Sequence, residues 1–234
     1  MIKSKKFLTL FAILFFQIFF FGYAFADFIV GLDGIKTSRD IIEAQGAGFN
    51  SVTVSSDISP ANPVNDEVAK AGLSVLSSVS QCAKINLFTT KKQILKKEEL
   101  RFLSYNAIID GAKGLLYSQC YLDDNALYEK YSKDWENIAD VISEISFVAE
   151  ILSKGNKTEN PFEIKAPLKA ASYEYGGIKY TFIVNPTDKR HTIPSQFYQQ
   201  SYDVVGEKSS VLKKVVRNSK NNFREHKAFV FRYE

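Results

Sequence analysis

Three carboxylates, an amide and two phenols stand where this sequence could act on a ligand. Asp33 follows the apolar run Phe28-Ile29-Val30-Gly31-Leu32, and Asp57 follows Ser51-Val52-Thr53-Val54-Ser55. Tyr117 lies within Leu115-Leu116-Tyr117-Ser118, and Gln119, Tyr121 and Asp123 come directly after it. Each short apolar run reads as a buried strand, and parallel α/β sheets place function at the carboxyl ends of their strands. By position those ends also hold Gln81 and Asp124. The same residues have plainer roles, because Asp33-Gly34 fits a turn and Asp123-Asp124 fits the negative pair favoured at a helix start.

Several chemistries are excluded. The sequence has no phosphate-binding glycine loop, no dinucleotide fingerprint and no Ser/His/Asp set. His191 and His226 lie far from Cys82 and Cys120, and the two cysteines lack the short spacing of a zinc or redox motif. We therefore expect no metal and no cofactor. The chain carries a net +4, but three lysines belong to the first 26 residues, which leaves the remainder near +1. So neutral a body offers no field for nucleic acid.

Those first residues read as a signal peptide, residues 1–26. Lys3, Lys5 and Lys6 precede an almost wholly apolar stretch from Phe7 to Tyr23, and Ala24-Phe25-Ala26 supplies the small residues of a cleavage site. The mature protein is expected to start at Asp27, in a secreted or periplasmic location, with no membrane segment after cleavage. An uncleaved anchor is the alternative, since the stretch approaches the ~20 residues that span a bilayer.

The elements that must position the candidate residues come in two patterns. From Asp27 to about residue 157, strands alternate with helices. The first helix is capped at Thr37 or Ser38 and carries Ile41, Ile42 and Ala44. The second follows Pro63, with Val64, Val68 and Ala71 on one face, and the third strand is Leu73 to Val79. This βαβαβ unit requires parallel strands and right-handed crossovers. Gln81 to Lys97 is lysine-rich and irregular. A helix then carries Leu100, Leu103, Ala107 and Ile108, and the longest helix presents Trp135, Ile138, Ala139, Ile142, Ile145, Ala149 and Leu152 at helical spacing. Gly111 and Gly114 flank the corner before the fourth strand, where a side chain would obstruct packing. After residue 158 the period becomes two. Ile178, Tyr180, Phe182 and Val184 alternate with Lys179, Thr181 and Ile183, and Phe229, Phe231 and Tyr233 repeat the pattern. Residues 158–234 are expected to form an antiparallel, sandwich-like β domain.

This order of elements resembles extracellular glycoside hydrolases that join a (β/α)8 barrel to a C-terminal β-sandwich. The opening strand–helix units end in Ala47-Gly48-Phe49-Asn50 and Ala71-Gly72-Leu73. The segment Ser104 to Tyr117, with Gly111-Ala112-Lys113-Gly114 before its apolar strand, resembles the closing unit of such a barrel. Tyr180-Thr181-Phe182-Ile183-Val184-Asn185 is similar to a strand of the appended sandwich. The resemblance implies a partial barrel-like parallel sheet in which the last strand lies beside the first. Asp33 would then approach Asp123 or Asp124, and Tyr117 and Tyr121 would offer an aromatic face to a sugar ring.

The chain departs from the family in one respect. A barrel needs eight strand–helix units in roughly 250 residues, and residues 27–155 hold about four strands, so the middle units are absent near Gln81 to Lys97. The family's catalytic carboxylates usually arise there, and no Asp or Glu of this chain matches one. The expectation is an exported, truncated relative that binds glycan or a protein partner with little or no catalysis. An active hydrolase with a shortened barrel and a structural or assembly module are the alternatives. Cys82 and Cys120 each follow a predicted strand and are expected at the same carboxyl edge. In barrel order they stand roughly 14 Å apart, at about 4.8 Å per strand step, beyond the ~7 Å a disulfide tolerates. A homodimer through open sheet edges could bring Cys82 of one chain beside Cys120 of another. Two free thiols are the remaining case.

Overall fold

The computed structural model describes residues 27–56, 58, 63–76, 80–89, 93–118, 128 and 131–192, with short strands at 203–204, 222–223 and 228–233. Its first half alternates β1 (Ile29–Ile35), α1 (Ser38–Ala47), β2 (Ser51–Val54), α2 (Val64–Lys70), β3 (Ser74–Val75), β4 (Cys82–Asn86), α3 (Lys97–Ile109), β5 (Gly114–Ser118) and α4 (Ser132–Lys154). The five strands are parallel and lie in the order β3-β2-β1-β5-β4. Followed around a circle, that order is the sequence order, with a single break between β3 and β4. It is an arc of a barrel.

Val30, Leu32, Val52, Ile85, Leu115 and Tyr117 all face the helices and share one apolar core with them. Burying a Val, Leu or Ile side chain contributes about 1.5–3 kcal/mol, so this face dominates the stability of the arc. The opposite, concave face carries Gly31, Asp33, Thr53, Lys84, Leu116 and Ser118. A Cβ on Gly31 would stand 3.0 Å from Leu116 and 3.2 Å from Leu76, whose methyl groups occupy that space.

β4 corrects the sequence reading twice. It forms a regular strand within Gln81 to Lys97, because its alternation buries Ile85 while Lys84 leaves by the other face. The break in the barrel order therefore falls earlier, between Val75 and Cys82. Cys82 also opens β4, opposite Gly114, so it lies at the amino edge of the sheet and not at the carboxyl edge. Gln81 moves with it. The fourth predicted strand, now β5, does lie beside β1. A Cβ on Gly114 would stand 2.6 Å from the Ile29 Cβ and 2.9 Å from the Cys82 Sγ, which accounts for glycine at that corner.

Helix faces follow the predicted periods with local shifts. Thr37 caps α1: its hydroxyl accepts from the Asp40 amide at 3.2 Å, and the Asp40 carboxylate accepts from the Thr37 amide at 2.8 Å. Ile41, Ala44 and Ala47 are buried, whereas Ile42 points to solvent, one helical step off the inward stripe. On α3 the inward residues are Leu100, Ser104, Tyr105 and Ile108, and Leu103 is exposed. Ser104 is accommodated because its hydroxyl donates to the Leu100 carbonyl at 2.8 Å and accepts from Tyr117. α4 buries more than the predicted stripe, adding Val141, Val148 and Ile151, because it packs against α1, α3, β1 and the second sheet at once.

That second sheet begins one residue after α4. It contains β6 (Asn156–Thr158), β7 (Lys169–Tyr175), β8 (Ile178–Val184), β10 (Asp203–Val204) and β12 (Ala228–Tyr233), antiparallel in the order β10-β12-β8-β7-β6. β9 (His191–Thr192) and β11 (Asn222–Phe223) form a separate pair. Tyr180, Phe182, Val184, Ala228 and Val230 join the main core, with Phe182 stacked on Tyr105 of α3 at 5.8 Å. The side chains of Phe229, Phe231 and Tyr233 lie outside the described ones.

A buried ion pair fastens this sheet to the helices. The Arg101 Nε of α3 donates to Glu144 of α4 at 2.9 and 3.1 Å, and its Nη1 donates to the Ala228 carbonyl of β12 at 2.6 Å. The Tyr105 hydroxyl donates to the same carboxylate at 2.6 Å. Burial, and then the Glu144 charge, push the Tyr105 hydroxyl well above its ordinary range, so it remains a donor.

Candidate functional site

Asp33 reaches the concave face by the simple alternation of β1. Val30 and Leu32 turn to the helices, so Asp33 turns away from them. After Leu32 the register with β2 slips. β1 spends three residues from Leu32 to Ile35 where β2 spends two from Val52 to Val54. Gly34, at φ +78°, absorbs the extra residue and returns Ile35 to the core. The Asp33-Gly34 pair is thus a bulge within a strand, and the sequence reading of a turn is corrected accordingly.

Three strands converge on the Asp33 carboxylate. Oδ1 accepts from Thr53 of β2 at 2.6 Å, and Oδ2 accepts from Ser118 of β5 at 2.8 Å. Lys84 reaches past β5 from the edge strand β4 and places its Nζ 2.7 Å from Oδ2. Thr53 in turn accepts from the Gly34 amide at 2.8 Å. Partial burial pulls the Asp33 carboxyl upward, but the bonds from Lys84, Thr53 and Ser118 outweigh it and hold the carboxyl below its usual range. Asp33 is ionised at neutral pH, with both oxygens engaged.

Such a group cannot act as a general acid, because it carries no proton to give. Glycoside hydrolysis needs two carboxyl groups, about 5 Å apart for retention or about 6.5–9.5 Å apart for inversion. Within the five parallel strands themselves, Asp33 is the one carboxylate; Asp40, in the first turn of α1, is buried and accepts from the Lys36 and Thr37 amides and the Tyr128 hydroxyl. Nor do the described residues bring three His, Cys, Asp or Glu side chains together where a metal ion could be held.

The other predicted site residues divide into two groups. Tyr117 lies on the helix-facing side of β5, fully buried, with its hydroxyl 2.8 Å from Ser104 and its ring edge against Phe49. Its phenol is pushed upward by burial. It therefore offers no ring face beside Asp33. Asp57, Gln119, Tyr121, Asp123, Asp124 and Cys120 lie outside the described residues. Thr53, Lys84 and Ser118 were missed, although strict alternation places Thr53 and Ser118 on the Asp33 face once the strands are ordered. Lys84 was hidden because its strand was read as irregular. Arg101 and Glu144, 43 residues apart, leave no local pattern that would pair them.

Several solved structures, a GH30 endoxylanase and an α-amylase among them, resemble the chain distantly. Amy13B of Eubacterium rectale matches at TM-score 0.40 and 12% identity, over 87% of this chain and 52% of that one. A GH30 endoxylanase from Clostridium papyrosolvens C71 matches at 0.34 and 8% identity, over 80% and 49%. The α-amylase of Geobacillus thermoleovorans, complexed with acarbose, matches at 0.35 and 12% identity, over 88% and 53%. The chain thus spans about half the length of these structures, and likeness at this level transfers no residue role. No family model matches the sequence, and no curated protein matches it. The chain's own architecture is a parallel sheet of barrel-like order followed by an antiparallel sheet.

Proposed function

We propose that the chain is an exported, glycoside-hydrolase-like protein that binds glycan or a protein partner with little or no catalysis. The observation that carries the reading is the state of Asp33. It is the single described carboxylate carried by the five parallel strands themselves, and both its oxygens accept from Lys84, Thr53 and Ser118. A barrel enzyme's acid and base must exchange protons with substrate; this carboxylate is instead a cross-brace between strands. Binding at the concave face remains compatible with the reading, because among the described residues the parallel sheet ends at β3 and β4 without closing. Polysaccharide association by sedimentation or affinity electrophoresis, run beside chromogenic glycosides, tests the proposal. Saturable association without release of sugar supports it. Turnover that disappears in Asp33→Asn or Asp123→Asn would establish the active hydrolase in its place.

Export rests on the leader, and mass spectrometry of the secreted or periplasmic protein should find Asp27 at the N-terminus. A mature chain that retains Phe7 to Tyr23 would indicate an anchor. No helix among the described residues is long and apolar enough to cross a membrane.

A second reading draws on the two ends of the arc. Among the described residues, β3 and β4 each pair on one side only, and unpaired strand edges invite another chain. An assembly module, including a homodimer through these edges, should show a concentration-dependent mass in analytical ultracentrifugation. A single monomeric species at all concentrations counts against it.

A further inference from the structure

The amino edge of the parallel sheet holds a cavity of about 660 Å³, on the side opposite Asp33. It lies between the starts of β1, β4 and β5, the end of α4, and the first strands of the second sheet. That volume falls within the ~300–1,000 Å³ of small-molecule sites. Ile29, Ala112 and Leu152 supply apolar parts of its lining.

Idle polar groups distinguish its walls from the Asp33 site. Among the described residues, the side chains of Gln81, Lys113, Lys157 and Tyr173 line the cavity without a hydrogen bond or ion pair. At Asp33 the polar groups bond to one another; here two lysines, a glutamine and a tyrosine border one cavity with their polar groups unbonded. Two unneutralised cations call for a carboxylate. The amide and phenol, with the Asp27 carboxylate on the rim, suit hydroxyl groups. The apolar lining and half-buried Tyr173 ring suit the carbon face of a small ring.

From this juxtaposition we propose that the amino-edge cavity binds a small hydroxylated carboxylate of the uronic acid type. Lys113 and Lys157 receive the carboxylate, and Gln81 and Tyr173 receive ring hydroxyls. The site is separate from the carboxyl edge and does not depend on the glycan reading made there. Both lysines are exposed, so screening by salt should weaken binding.

Galacturonate is the direct probe, titrated into the full chain and followed through the amide signals of Ile29, Ala112 and Tyr173 by NMR. Saturable shifts are expected, with galactose and acetate each at least tenfold weaker. Lys113→Ala with Lys157→Ala should weaken galacturonate at least tenfold while leaving the unfolding curve in place. Ala112→Phe, which fills part of the cavity, should abolish binding by a separate route, and Asp33→Asn should leave it intact. Absence of saturable shifts overturns the proposal, as does equal affinity for galactose. Acetate binding as tightly as galacturonate would overturn the saccharide assignment, and loss on Asp33→Asn alone would move the site to the other edge. Neutral polysaccharide binding that ignores Lys113 and Lys157, with no saturable galacturonate shifts, would leave the earlier reading standing and defeat this one.

Discussion

Replacing Glu144 by glutamine should be among the most destabilising single changes available to this chain. Glu144 and Arg101 have side-chain exposures of 7% and 12%, so neither charge is well solvated. The substitution keeps the shape and one acceptor oxygen but removes the charge that balances the guanidinium. Breaking a buried pair by removing one partner costs about 3–5 kcal/mol. Glutamine can still accept from either Arg101 or Tyr105, which sets the expectation near the lower end, about 3 kcal/mol. For a chain of this size each kcal/mol shifts the melting temperature by about 2–4 °C, giving a fall of roughly 6–12 °C.

Urea and thermal unfolding measure this directly, and a companion variant separates charge from packing. Arg101→Met with Glu144→Leu and Tyr105→Phe replaces the whole cluster by apolar groups. It should recover most of the loss, short of the one Ala228 carbonyl left without its donor at about 1–3 kcal/mol. A Glu144→Gln protein within about 0.5 kcal/mol of wild type, the range of ordinary surface substitutions, would refute the reasoning. The second sheet would then be held to the helices by Tyr105, Phe182 and their apolar neighbours alone.

Three further outcomes are expected. Gly114→Ala should cost about 1–3 kcal/mol, the usual range for overpacking, because its Cβ would meet Ile29 at 2.6 Å; unchanged urea unfolding would contradict the β1–β5 spacing. Asp33 has a carboxyl lowered in the folded state, so its contribution is present above the unfolded value near 3.8 and is lost as pH falls through the folded one. The stability gap between wild type and Asp33→Asn should therefore be largest at neutral pH and close below about pH 4, and a gap that widens in acid would contradict the Lys84 bond. Non-reducing electrophoresis with thiol counting should find no bridge within a monomer, since Cys82 pairs opposite Gly114 and four residues from the partner of Ser118. A monomer with no free thiol would overturn that register.

Much of the arc was legible because burial writes a pattern into sequence. The runs at Val30, Val52 and Leu115 are apolar enough to read as strands, and Thr37, Gly48 and Gly72 punctuate the helices between them. The strand that was missed fails the same test for a physical reason. β4 is an edge strand with an exposed lysine, and its burial alternates instead of running continuously. Ile42 and Leu103 are apolar and near the helical stripe yet face solvent, while Ser104 gives no signal because a polar residue enters a core only when partners, here Leu100 and Tyr117, satisfy it. The Arg101–Glu144 pair belongs to the same class. Two helices must first be placed side by side before any rule can join them.

Those same missed residues explain how an arc can stand without its remaining strands. A closed barrel hides its strand edges and fills its interior with layers of side chains. Here the helix side is completed differently, because α4 packs on α1, α3 and β7 while α3 packs on β8, whose Phe182 stacks on Tyr105. On the concave side, Leu116 and Leu76 close over Gly31, and above them Lys84 ties the edge strand β4 back to β1 through Asp33. An inward-pointing lysine also blunts the edge against unwanted pairing. The carboxylate that sequence position marks as a candidate ligand-binding group thereby braces the sheet across β2, β5 and β4. Asp33 is freed for chemistry only if Lys84 is withdrawn, so Lys84→Ala combined with a chromogenic glycoside is the sharpest single challenge to the non-catalytic reading. Turnover appearing in that variant and absent from wild type would mean that the brace suppresses an activity; continued silence supports the non-catalytic reading.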